Sequence, residues 1–141
     1  MAKISIIGAG NVGATTAFLL LLKDLADVVM VDLREVSKGK ALDIQQSQPI
    51  LGFKSNIMGT TDYSQIKNSD IVIVAAGIPR SPGMTRDDLL EKNFSIVKSV
   101  CEQVKKHAPA SIVIVVTNPL ELMAYTALRS TSFPRERVIG M

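Results

Sequence analysis

The sequence contains no tryptophan, one cysteine and one histidine among 141 residues, and aromatic residues make up only 4%. A lone cysteine, Cys101, excludes an internal disulfide, leaves no metal-binding cluster and predicts a reducing, cytoplasmic setting. No apolar run approaches the roughly 20 residues that a membrane-spanning helix requires. Gly8 interrupts the first apolar segment too early for a signal peptide. We therefore expect neither a membrane partner nor a metal site.

The sequence also lacks a strong excess of either charge, because sixteen basic and thirteen acidic residues give a net charge of only +3. Proteins that bind nucleic acids cluster their basic residues, often with aromatic side chains between them. Neither pattern is present, so we expect no nucleic-acid partner and assign the small surplus to anionic small ligands. With 47% hydrophobic and 21% charged residues, the composition is that of one globular domain over residues 1–141.

Short β-branched runs alternate with helical patterns along the whole chain. The predicted strands cover residues 4–7, 28–31, 56–58, 71–74, 112–116 and 138–139, and the predicted helices cover 11–23, 35–48, 87–106 and 120–129. Pro49 is expected to close the second helix, and Gly59 to bound the third strand. This alternation predicts an α/β fold, a doubly wound, six-stranded parallel sheet with helices on both faces.

A glycine-rich turn joins the first predicted strand to the first helix. The segment reads Gly8, Ala9, Gly10, Asn11, Val12, Gly13, which fits the G-x-G-x-x-G pattern of dinucleotide-binding Rossmann units. In that pattern the glycines permit a tight turn, a close approach of pyrophosphate and close helix–strand packing, and the helix N-terminus donates N–H groups to the phosphates. The motif alone is weak evidence, but its position between strand and helix supports nucleotide binding.

Asp32 ends the second predicted strand, nineteen residues beyond Gly13. An acid at this spacing accepts hydrogen bonds from the ribose hydroxyls of the adenosine, and it would repel a 2′-phosphate. It therefore favours NAD over NADP as the cofactor. The alternative is a solvated acid in a turn, and Arg34 nearby is a feature that can tolerate the phosphorylated cofactor.

The loop after the fourth strand, residues 77–87, carries two arginines, Arg80 and Arg86. In open parallel sheets, ligands bind outside the carboxyl ends of the strands. There the two guanidinium groups could grip a carboxylate and polarise a carbonyl, or they could simply solvate the loop. Asn118 ends the fifth strand, where it either caps the following helix or bonds a substrate hydroxyl in the same crevice.

The remaining reactive side chains are interpreted as structural. His107 lies at the end of the long predicted helix, where a cation suits the helix C-terminus, and Cys101 belongs to that helix's apolar stripe, which also includes Phe94. No histidine is therefore placed to act as a general acid or base, and we predict no catalytic residue within the chain.

Five segments together carry a resemblance to a known family: residues 6–13, 31–32, 39–43, 76–89 and 116–119. Through them the chain resembles the malate dehydrogenases, and more narrowly their lactate-dehydrogenase-like bacterial and archaeal group. The resemblance covers the entire chain, and residues 78–89 are its most specific part. It implies NAD as cofactor and oxidation of a 2-hydroxy acid in the tricarboxylic acid cycle.

The resemblance also implies roles for particular residues. Arg80 would grip the distal carboxylate of a dicarboxylate, Arg86 would polarise the reacting carbonyl or hydroxyl, and Asn118 would contact both substrate and cofactor. The cofactor-binding residues would be Gly8, Ala9, Gly10, Asn11, Val12, Gly13, Asp32, Asn93, Val116, Thr117 and Asn118. The Asn118–Pro119 bond is expected to be cis, and residues 39–46 to contribute to a homo-oligomer interface.

The family's second half, with its catalytic histidine, has no counterpart in this sequence. We therefore expect an NAD-binding domain that is nearly inactive alone. Two alternatives remain open, namely a dehydrogenase for lactate or another 2-hydroxy acid, and a stand-alone nucleotide-binding module without chemistry of its own.

Overall fold

Six parallel strands form one sheet in the computed structural model, which describes residues 1–141. They are β1 (Lys3–Ile7), β2 (Asp27–Val31), β3 (Ile57–Thr60), β4 (Ile71–Val74), β5 (Ile112–Val115) and β6 (Val138–Gly140). Their order across the sheet is β3-β2-β1-β4-β5-β6. The predicted six-stranded, doubly wound parallel sheet is thus confirmed.

Five α-helices and two short 3₁₀ turns connect the strands. The helices are α1 (Asn11–Leu22), α2 (Val36–Gln46), α3 (Gln48–Leu51), α4 (Arg86–His107) and α5 (Leu120–Thr131), and the turns are Tyr63–Ile66 and Arg135–Arg137. None of the helices combines the length and the apolar character needed to cross a bilayer.

The helices divide between the two faces of the sheet because successive strand residues point to opposite sides. On β1, Ile6 packs into a core with Leu21 of α1 and Ala41 of α2. Its neighbour Ile7 packs into a second core with Val97 of α4 and Met123 of α5. Both faces are therefore buried, which explains why the strands are continuous β-branched runs rather than alternating ones.

Two predicted boundaries are wrong. Pro49 does not end helical structure, because it lies in the first turn of α3, where a backbone N–H has no partner to lose. Gly59 does not bound β3 but lies inside it. A Cβ on Gly59 would collide with the carbonyl oxygen of Ser37 at the start of α2, so this glycine allows the helix to approach the strand closely.

Candidate functional site

The carboxyl ends of β1 and β4 open onto a crevice, because the chain leaves these neighbouring strands toward opposite sides of the sheet. A cavity of about 370 Å³ lies there. It brings together six of the predicted site residues, Val12, Arg80, Asn93, Val116, Thr117 and Asn118. A larger cavity of about 800 Å³ lies between residues 81–84 and α4 and includes none of the predicted site residues.

The three motif glycines serve different purposes in the turn between β1 and α1. Gly8 has φ +105°, and a Cβ there would lie 2.7 Å from the backbone nitrogen of Ala76. A Cβ on Gly13 would collide with the carbonyl oxygen of Gly8. By contrast, a Cβ on Gly10 would meet no atom within 4 Å. The fold itself thus requires Gly8 and Gly13, whereas Gly10 leaves open space in front of the helix.

The N-terminus of α1 faces that open space without a side-chain cap. Gly10 is the N-cap residue, and no side chain accepts a hydrogen bond from the first turn. The N–H groups of Asn11, Val12 and Gly13 therefore have no intrahelical acceptor. These donors and the helix dipole suit a phosphate group.

Two charged side chains fix the peptide groups of Ala9 from opposite sides. Asp32 Oδ2 accepts a hydrogen bond from the Ala9 N–H at 2.8 Å, and Lys40 Nζ donates one to the Ala9 carbonyl at 2.7 Å. Asp32 Oδ1 also accepts from the Arg34 N–H at 3.1 Å, while the side chain of Arg34 is 80% exposed. Asp32 is therefore built into the glycine turn, and the interpretation of a solvated turn acid does not describe it.

Sequence reasoning did not identify Lys40 as a residue that holds the glycine turn. Its segment contributed to the family resemblance, but a lysine on a helix surface carries no signal of its own. Only the packing of α2 beside the glycine turn brings its ammonium group to Ala9.

The two arginines do not share one loop, contrary to the prediction. Arg80 is in the loop, where its Nε donates to the Met84 carbonyl at 3.2 Å, but Arg86 is the first residue of α4. The helix begins there because Thr85 and Asp88 form a capping box. Hydrogen bonds from the Thr85 hydroxyl and N–H hold the pKa of Asp88 below its ordinary value of 3.8.

The apolar stripe of α4 was predicted to place Phe94 in the interior, but Phe94 is 45% exposed. Its neighbour Asn93 is buried instead, with 2% of its surface exposed. The helix turns the side-chain amide of Asn93 inward because three backbone groups in the loops after β4 and β5 form hydrogen bonds with it. Helical periodicity counts apolar residues and could not anticipate this.

Asn118 stands at the rim of the crevice and does not cap the next helix. The N-cap residue of α5 is Pro119, and no side chain caps that helix, so the capping alternative is wrong. The Asn118–Pro119 bond is cis, as the resemblance implied. Asn118 is among the residues that line the cavity.

The two remaining reactive side chains lie away from the crevice, as predicted. His107 shares a cavity with residues 67–69 and 108–110, the segments that lead into β4 and β5, so it lies at the opposite, amino end of the sheet. Cys101 is fully buried, and burial raises the pKa of its thiol to about 12. Neither group can transfer a proton in the crevice.

A profile of the family described as "lactate/malate dehydrogenase, NAD binding domain" matches residues 2–140. Among curated proteins, the chain is 53% identical over 141 residues to malate dehydrogenase from Bacillus cytotoxicus, covering 98% of the chain and 45% of that protein. It thus spans less than half the length of this relative.

Solved structures that resemble the chain come from the same two kinds of dehydrogenase. Apo malate dehydrogenase from Picrophilus torridus matches with a TM-score of 0.96 and 44% identity, over 99% of this chain and 45% of that one. Lactate dehydrogenase from Cryptosporidium parvum, complexed with lactic acid and nicotinamide adenine dinucleotide, matches with a TM-score of 0.91 and 41% identity, over 97% of this chain and 44% of that one.

Proposed function

Because the chain belongs to the lactate/malate dehydrogenase family through its NAD-binding domain, we propose that it is the cofactor-binding half of a malate dehydrogenase. The family match confirms NAD as the predicted cofactor. NAD held by this domain would supply the hydride exchange with a 2-hydroxy or 2-keto acid. The substrate domain would lie outside residues 1–141.

The observation that carries the proposal is the preformed site around Gly10. Open space in front of this residue adjoins the free N–H groups of the α1 N-terminus, which would bind the pyrophosphate. Asp32 is held at the edge of the same turn by Ala9, where its carboxylate would accept from the ribose hydroxyls. Val12, Val116 and Thr117 line the cavity beyond it, on the side where the nicotinamide would lie.

The substrate would bind between the carboxyl ends of β4 and β5. Arg80 and Asn118 both line the cavity, so Arg80 would pair with the distal carboxylate of malate or oxaloacetate, and Asn118 would bond the reacting oxygen. Arg86, at the start of α4, would polarise that oxygen once the loop closes. A guanidinium group pairs with a carboxylate through two parallel hydrogen bonds, which favours a dicarboxylate over lactate.

Proton transfer at the substrate oxygen requires a group that residues 1–141 do not place in the crevice. A positioned acid or base typically contributes roughly 10²- to 10⁴-fold to such a reaction. The only histidine of the chain lies at the opposite end of the sheet. The chain alone should therefore bind cofactor but scarcely turn over.

We also propose a cytoplasmic homo-oligomer that acts in the tricarboxylic acid cycle, with α2 in a subunit contact. The exposed apolar side chains of α2 support the contact, since Leu42 is 57% and Val36 36% exposed.

The test is NADH oxidation with oxaloacetate or pyruvate, using the 141-residue chain and the full-length protein that contains it. We expect the full-length protein to prefer oxaloacetate, and the chain to keep less than about one hundredth of its kcat/KM. A preference for pyruvate would instead support a lactate dehydrogenase. No reduction of either keto acid by the full-length protein would favour a nucleotide-binding module.

Arg80→Gln in the full-length protein then tests the substrate assignment. The variant should lose most of the preference for oxaloacetate over pyruvate while its Kd for NADH changes less than about threefold, because Arg80 is assigned to substrate alone. An unchanged substrate preference would contradict the role of Arg80.

A further inference from the structure

Asn93 of α4 bonds to two different loops of the crevice. Its Oδ1 accepts a hydrogen bond from the Ile78 N–H at 2.8 Å. Its Nδ2 donates to the Ile78 carbonyl at 3.3 Å and to the Asn118 carbonyl at 2.8 Å. The carboxamide thus uses its acceptor and both its donors on backbone groups, and it is 2% exposed.

This arrangement commits most of the hydrogen-bonding capacity of Asn93 to the backbone. A side-chain amide offers two N–H donors and a carbonyl oxygen with two lone pairs, and only one lone pair of Oδ1 has no backbone partner here. Breaking any of these bonds would leave a buried polar group unpaired, which proteins avoid. Asn93 lines the cavity, but its polar atoms are directed at the chain.

A second contact reinforces the junction between the two loops. The Thr117 hydroxyl donates to the Ala76 carbonyl at 2.7 Å. A Cβ on Gly77 would lie 2.6 Å from Thr117 Cγ2 and 3.2 Å from Asn93 Oδ1. Residues 76–78 therefore pass through a narrow gap between Thr117 and Asn93, and the absence of a side chain at Gly77 permits it.

Beyond Ile78 the loop has no such anchor. The only hydrogen bonds of residues 79–84 stay within the loop, from the Met84 N–H to the Ser81 carbonyl at 3.1 Å and from Arg80 Nε to the Met84 carbonyl at 3.2 Å. The next anchor is the capping box at Thr85, where α4 begins. Asn93 thus sets where the weakly held part of the arginine loop (residues 77–85) starts.

We propose that Asn93 is a positioning residue that locks the base of the arginine loop to Asn118, so that Arg80 and Asn118 keep a defined spacing around the substrate. This inference rests on the proposed function for the substrate roles of Arg80 and Asn118. It adds a role in substrate placement to the cofactor contact that the resemblance implied.

The first test uses the 141-residue chain and Asn93→Asp, which keeps the size and the acceptor for Ile78 but replaces the donor with an oxygen that faces two carbonyls. Asn93→Ser is the second variant, and Ser95→Ala, an exposed site on the same helix, is the control. The readout is the rate of native-state trypsin cleavage after Arg80, divided by the rate after Arg34 in the same sample. A general loss of stability raises both rates, so the ratio reports the loop alone.

We expect the cleavage ratio to rise about tenfold in both variants, because Asn93→Asp loses the hydrogen bonds from Nδ2 to Ile78 and to Asn118 and the shorter side chain of Asn93→Ser cannot join the two loops. Ser95→Ala should leave it unchanged. An unchanged ratio in both Asn93 variants would overturn the proposal, whatever their activity.

The second test measures kcat, KM for oxaloacetate and Kd for NADH in the full-length protein with the same variants. Misplaced substrate groups should lower kcat/KM about 100-fold, with KM for oxaloacetate raised and kcat lowered, a loss well beyond any rise in Kd for NADH. A loss of NADH affinity as large as the loss of kcat/KM would mean that Asn93 acts through the cofactor alone and would overturn the proposal. If the wild-type protein reduces no keto acid, the proposed function fails, and the trypsin ratio still decides whether Asn93 anchors the loop.

Discussion

The glycine turn (residues 8–13) and the arginine loop (residues 77–85) lie at the same end of the sheet but differ in how the chain holds them. Ala9 is 1% exposed, and its peptide groups bond to Asp32 and Lys40. Arg80, at the middle of the other region, is exposed and bonds only within its own loop. The glycine turn is fixed by Asp32, directly after β2, and by Lys40 of α2, whereas the arginine loop is fixed only at its two ends.

This difference indicates that the two halves of the crevice reach their working geometry in different ways. The glycine turn is preorganised, so a cofactor would find its donors and carboxylate already in place. The arginine loop has few contacts with the rest of the domain, which is typical of segments that close over a substrate.

The largest effect is expected for Gly13→Ala, compared with Gly10→Ala. A methyl group on Gly13 would collide with backbone, the Gly8 carbonyl, so the free energy of unfolding should fall by about 3 kcal/mol. A methyl group on Gly10 meets no protein atom within 4 Å. That variant should stay within about 1 kcal/mol of wild type but bind NADH at least about tenfold more weakly, because the methyl group occupies the space assigned to pyrophosphate.

Urea unfolding and an NADH fluorescence titration measure these two quantities. If Gly10→Ala bound NADH as wild type does, the open space at Gly10 would not be the phosphate site.

An intermediate effect is expected for Asp32→Ala. The variant should weaken NADH binding about tenfold and narrow the gap between NADH and NADPH, because the carboxylate no longer accepts from the ribose or repels a phosphate. It should also lower stability by about 1 kcal/mol, since the Ala9 N–H loses its acceptor. Asp43→Ala, at an exposed position on α2, is the matched control. A variant that still discriminated fully between NADH and NADPH would show that Asp32 does not select the cofactor.

The smallest effect concerns pH at the end of the arginine loop. Because the pKa of folded Asp88 lies below its ordinary value of 3.8, its stabilising contribution is present above that value and is lost as the pH falls through the folded pKa. Hydrogen exchange at the Thr85 N–H, which donates to Asp88 Oδ2, should lose protection over this acid range. Asp88→Asn should remove the pH dependence and Asp87→Asn should keep it. Equal behaviour of the two variants would contradict the assignment.

Sequence alone predicted the parts of the fold that depend on local patterns. Buried strands appear as β-branched runs because both faces of a parallel sheet are covered, and all six were located. The glycine motif and Asp32 were found because each depends on fixed spacing along the chain. Family resemblance supplied the cis bond at Asn118–Pro119, which residue patterns do not reveal.

The errors arose where tertiary contacts decide the outcome. Asn93 is buried by hydrogen bonds to two distant loops, and no count of apolar residues along α4 contains that information. Lys40 reaches Ala9 only because α2 packs beside the glycine turn. The placement of Arg86 was a separate, local error. Pro79, Pro82 and Gly83 indicated a loop, whereas the capping box of Thr85 and Asp88, a pattern readable in the sequence, starts the helix one residue earlier than expected.

The most direct test of the account is a titration of the 141-residue chain with NADH and with NADPH under identical conditions. The preformed glycine turn and the carboxylate of Asp32 predict one NADH site per chain, with a Kd at least about tenfold lower than that for NADPH, a difference of about 1.4 kcal/mol. Equal affinity for the two nucleotides, or no binding of NADH by the folded chain, would contradict the claim that this domain carries a complete and selective NAD site.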